Sequence, residues 1–116
     1  MADSEIHWGW KFPQPARAGD ILGRTVLDDD SGTIGRVTAL VRDPSGNIMV
    51  VFTEGGLFGF GSRQVAVPLR QTGMLGQYVA LFDMLPAQLD KMPSFDARGT
   101  TPVDPNETIQ VGLAQR

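Results

Sequence analysis

The chain has 116 residues, 41% of them hydrophobic and 20% charged, with one histidine and no cysteine. This size and balance fit one globular domain with a real core, and they exclude a disulfide framework, a thiolate metal centre and wholesale disorder. The formal charge of −3, with arginines scattered singly, argues against direct nucleic-acid contact and against a polybasic membrane anchor.

Three zones are expected: an N-terminal aromatic and proline-bearing arm at 1–19, a patterned domain at 20–95, and a C-terminal extension at 96–116. In the arm, Trp8, Trp10 and Phe12 fall at alternate positions and share one side of an extended segment. They pack on the chain's own domain, across a two-fold axis or on a partner protein. His7, in the same arm, reads as a surface or arm-packing residue, because nothing near it supplies a ligand set or a nucleophile to activate. The arm has neither a basic n-region nor an apolar h-region, so no signal peptide is expected. No run approaches the ~20 apolar residues that cross a bilayer, so no membrane insertion is expected. A cytoplasmic location follows where Met1 is the native start.

Residues 21–27 form an aliphatic and β-branched run, predicted as a strand that ends at Asp28-Asp29-Asp30-Ser31-Gly32. That acidic cluster lacks the Gly and Glu of a calcium loop and suits a hairpin turn, with a weak cation site as the alternative. Residues 33–43 alternate, with Gly35, Val37, Ala39 and Val41 on one face and Arg36, Thr38 and Arg42 on the other. Asp43-Pro44-Ser45-Gly46-Asn47 is a tight turn. The next strand, 48–53, is continuously apolar and should be covered on both faces.

The glycine-rich bend at 55–61 carries Leu57, Phe58 and Phe60. Its Gly59-Phe60-Gly61 is no dinucleotide fingerprint, because Gln64 stands where a third glycine is needed and a strand follows. The three apolar side chains either plug one end of a barrel or form an exposed docking patch. Residues 63–69 alternate again, with Val65, Val67 and Leu69 inward and Pro68 marking a sheet edge. A fifth strand is predicted at 77–82 after a turn around Gly73 and Gly76. A short helix follows at 86–91, with Leu85, Leu89 and Met92 as its apolar stripe, and 107–113 is a candidate sixth strand. Asp83, Asp90 and Asp96 are too dispersed to act as paired acid and base.

Four segments in this order resemble the PRC-barrel family, known from the cytoplasmic domain of the photosynthetic reaction-centre H subunit and from the ribosome maturation factor RimM. They are Ile21-Leu22-Gly23-Arg24-Thr25-Val26 with Thr33-Ile34-Gly35-Arg36-Val37, then Asp43-Pro44-Ser45-Gly46, then 55–69 ending in Val65-Ala66-Val67-Pro68-Leu69, then Leu89-Asp90-Lys91-Met92-Pro93. The resemblance implies an all-β, small barrel of five or six strands with one short C-terminal helix, used to dock other proteins. It carries no catalytic residue, cofactor or metal. The expectation is a non-enzymatic, stand-alone docking or scaffold module, forming a homodimer and binding a further protein partner. Its candidate interface is Trp8, Trp10, Phe12, Leu57, Phe58 and Phe60. The alternatives are a sensory barrel for a small ligand or cation, and a ribosome or RNA-processing assembly factor acting through a protein partner.

Overall fold

The computed structural model describes residues 13–28, 32–55, 62–82 and 86–113. Among them run nine strands: β1 (Gln14–Arg17), β2 (Thr25–Leu27), β3 (Thr33–Arg42), β4 (Ile48–Glu54), β5 (Arg63–Pro68), β6 (Thr72–Leu75), β7 (Tyr78–Leu81), β8 (Thr101–Pro102) and β9 (Thr108–Leu113). One short helix, α1 (Pro86–Lys91), follows β7. The all-β class is as expected, and six of the strands, β2 to β7, lie within 20–95. The order across the sheet is β1-β9-β6-β7-β2-β3-β4-β5, with β8 pairing beside β3. Two pairings are parallel, β2 with β7 and β6 with β9, and the others are antiparallel. The sheet coils without closing: β1 and β5 end the order and do not pair with each other.

Turn chemistry sets the long β3–β4 hairpin. The Asp43 carboxylate accepts the Ser45 and Asn47 N–H groups, each at 2.9 Å, and Gly46 takes φ +88°. A short acidic side chain that bonds its own turn, followed by the residue that tolerates positive φ, is what this geometry needs. β4 is buried on both faces, as its unbroken apolar run implied: Val50, Val51 and Phe52 have no exposed surface. Val65 and Val67 of β5 enter the same core, and Pro68 lies on the edge strand, where its missing N–H costs no ladder bond.

Three expectations need correction. The run at 21–27 is not one strand. Ala18–Asp20 forms a single 3-10 turn, Gly23 takes φ +82°, and only Thr25–Leu27 is extended. Ile21 stays in the core regardless, because burial fixes its side chain and not its backbone state. β3 does not keep one alternation. Its register with β4 steps from Val37↔Phe52 to Ala39↔Val51, so Thr38 is an extra residue. Beyond this bulge the parity reverses: Leu40 joins Val37 in the core, while Ala39 and Val41 take the other face. The glycine-bearing segment around Gly73 is the strand β6, not a turn, and Gly73 sits between Ala80 and Gly112 of its two neighbours.

The end of the sequence and its beginning meet in the sheet. β9 lies between β1 and β6, so residues 14–17 of the expected arm pair with residues 108–111 of the expected extension. Leu89 of α1 is buried in the core, with Met92 packed against it. Arg63 fixes the end of α1. It donates to the Leu89 carbonyl at 2.6 Å and to the Met92 carbonyl, while its Nε donates to Glu54 Oε1 at 3.0 Å. No helix among the described residues is long and apolar enough to cross a membrane.

Candidate interaction surface

The six side chains expected at an interface, Trp8, Trp10, Phe12, Leu57, Phe58 and Phe60, lie outside the described residues, as do His7, Asp29, Asp30 and Asp83. Asp28 serves its turn: its carboxylate accepts the Gly32 N–H at 2.8 Å. Asp96 pairs with Arg98 at 2.6 Å, and Asp90 is exposed. Among the described residues no group of three or more histidine or acidic side chains could hold a metal ion.

The surface that stands out is built by the turn between β1 and β2. Ile21 is driven inward, which leaves its neighbour Leu22 on the opposite side, 39% exposed. Leu22 faces the start of β7, where Tyr78 is 45% exposed, and these two are the exposed large hydrophobic side chains among the described residues. Thr25 of β2 pairs with Tyr78 on one side and Arg36 of β3 on the other, so the sheet register puts Tyr78 and Arg36 on either side of β2. A cleft of about 470 Å³ opens here, lined by Leu22, Arg24, Arg36, Gln77 and Tyr78. On its far side, Leu22 also borders an apolar hollow of about 220 Å³ against Ala39, Leu40, Pro102 and Val103.

Backbone carbonyls hold both arginines of the cleft. Arg24 donates from Nε to the Asp20 carbonyl at 2.7 Å and from Nη1 to the Gly76 carbonyl at 2.8 Å. It thereby ties the β1–β2 turn to the β6–β7 hairpin. Arg36 donates from Nη1 to the Gly23 carbonyl at 3.3 Å. Neither makes an ion pair with a described carboxylate. Arg17, Arg42, Arg63 and Arg98 do, with Asp20, Glu107, Glu54 and Asp96 respectively. In the Arg42–Glu107 pair the two hydrogen bonds from the guanidinium hold the Glu107 carboxyl below the usual carboxylate range and raise Arg42.

The cleft brings together arginine, tyrosine and leucine side chains with fixed positive charge and exposed apolar area. Among the described residues that line it there is no paired acid and base and no nucleophile beside a base. Such a surface can bind, since tyrosine and arginine are the residue types enriched where binding energy concentrates. The sequence pattern hides this surface because a strand over 21–27 takes in Leu22. The legible signal is adjacency: where one side of the chain faces the core, two large aliphatics in a row put only one side chain into it.

A third cleft, of about 430 Å³, lies at the open seam of the sheet between Pro13, Ile48, Leu69, Arg70 and Val111. A family model described as PRC-barrel domain matches residues 16–82, from the end of β1 through β7. No curated protein matches the chain.

Proposed function

The chain belongs to the PRC-barrel family, and from that premise we propose that it is a non-enzymatic docking module that holds another protein on the face around Leu22 and Tyr78. The observation that carries this reading is the pair itself: two large hydrophobic side chains left 39% and 45% exposed beside arginines already immobilised by carbonyls. Preordered side chains lose little entropy when a partner arrives, which favours binding without rearrangement. The test is recovery of partners from the native cell with the unaltered chain and with a Leu22→Ser/Tyr78→Ser variant. Loss of one and the same partner in the variant is expected. Equal recovery by both would remove this face from the reading.

We also propose a homodimer. β1 is an edge strand with an unpaired outer side among the described residues, and unpaired edges invite a second copy. Light scattering of the full chain checks this. A strict monomer at all accessible concentrations would end it.

A further inference from the structure

We propose that the segment docked on the Leu22–Tyr78 face is acidic: a short stretch of a partner protein with an apolar side chain against Leu22 and Tyr78 and flanking carboxylates on Arg24 and Arg36. The inference rests on the docking reading and adds the chemistry of the partner. The chain carries thirteen acidic against ten basic residues, yet this cleft gathers two arginines and no acidic side chain among the described residues that line it. Of the five other described arginines, four are each neutralised by a carboxylate of the chain itself, and the fifth, Arg70, lies at the seam cleft. Arg24 and Arg36 are held by neutral carbonyls instead, which fix a guanidinium without cancelling its charge.

The donors left over suit a carboxylate. Nη2 of both arginines has no acceptor among the described residues, and the planar guanidinium presents paired N–H groups at carboxylate spacing. Nucleic acid also offers anionic oxygens, but two arginines displace few counterions. Leu22 and the 220 Å³ hollow beside it would gain nothing from a phosphate backbone, whereas an aliphatic or aromatic side chain fills them. The acidic flanks select the partner at contact, and the apolar centre holds it.

The experiment presents the full chain with a library of short peptides that share a central Leu or Phe, with flanking positions drawn from Asp, Asn, Ser and Lys. Enrichment of Asp at the flanks is expected, with binding mapped by amide shifts at Leu22, Arg36, Gln77 and Tyr78. Binding should weaken by about tenfold or more in Arg36→Gln and be partly kept in Arg36→Lys, since both are rim changes that leave the turn bonds of Arg24 in place. Rising salt should weaken the unaltered chain more than Arg36→Gln. Enrichment of Asn, Ser or Lys on the same face would overturn the acidic partner and leave the docking reading standing. Absence of any binder that shifts these residues would overturn both. A single-stranded RNA oligonucleotide that shifts them and displaces the peptides would replace the proposal with an anion site for nucleic acid.

Discussion

A side-chain carbon at Gly35 would lie 1.7 Å from the carbonyl oxygen of Thr53. Here β3 runs close against the end of its antiparallel neighbour β4, and the Arg36 N–H donates to Thr53 Oγ1 at 3.2 Å. The obstructing atom is backbone, so no rotamer change can make room. Gly35→Ala should therefore force the two strands apart at the start of the bulge and cost about 3 kcal/mol, at the upper end for overpacking. A urea titration should show a lower midpoint, and thermal melting a fall of about 10 °C or more. At Gly46 nothing lies within 4 Å of an added carbon and only the φ of +88° objects. Gly46→Ala should cost about 1–2 kcal/mol.

Arg63 ties β5 to α1 through the Leu89 and Met92 carbonyls and to β4 through Glu54. The helix has six residues, too few to persist by propensity, so tertiary ties must hold it. Removing the guanidinium leaves its last carbonyls without this cation and leaves Glu54, only 15% exposed, without its partner. Arg63→Ala should lower stability by about 2–3 kcal/mol. Amide exchange should rise first at 89–92. Uniform loss of protection across the sheet, with the helix no faster, would show that Arg63 does not anchor α1.

The strands legible in the sequence were those whose burial is simple. β4 is apolar throughout because both faces are covered, and β5 alternates because one face is. β3 misled because a bulge at Thr38 reverses its parity, and period counting has no term for an inserted residue. β6 was hidden because Gly73 reads as a turn signal. In place, Gly73 sits opposite Ala80 and Gly112, so small residues lie side by side on three adjacent strands. The candidate surface was less legible than the fold. Exposure of Leu22 depends on a turn at 21–23 and on a parallel pairing of Thr25 with Tyr78, more than fifty positions away in the chain. Local pattern carries no information about that meeting.

Acid should weaken the link between β3 and the start of β9. Arg42 holds the Glu107 carboxyl below its ordinary value, so in the acid range the unfolded chain binds a proton that the folded chain does not. Stability then rises with pH across that window. The contribution is complete above the ordinary carboxylate range and is lost as pH falls through the lowered folded value. Both side chains are about 35% exposed, so the effect is modest and should shrink with salt. Melting temperatures from about pH 7 down to about pH 3 should fall less steeply for Glu107→Gln than for the unaltered chain, and the two curves should converge at the acid end. Parallel curves would mean that the pair does not contribute to folding.

Leu22 and Tyr78 offer the sharpest contrast between residues kept for stability and residues kept for contact. Phe52 has no exposed surface and packs among Val50, Val65 and Val67 in the core, so Phe52→Ala should cost about 3–5 kcal/mol. Leu22 and Tyr78 are removed from water only in part, and Leu22 follows the buried Ile21 that fixes the turn. Replacing each with Ser should change stability by no more than about 0.5 kcal/mol, the range of an ordinary surface position. Urea midpoints for the three variants decide the matter. A cost near 2 kcal/mol for Leu22→Ser would mean that its side chain is covered by the chain's own residues. The face would then be part of the fold and not a place for a partner. A near-zero cost alongside a large cost for Phe52→Ala would leave binding as the reason for two large hydrophobic side chains to stand beside two carbonyl-anchored arginines.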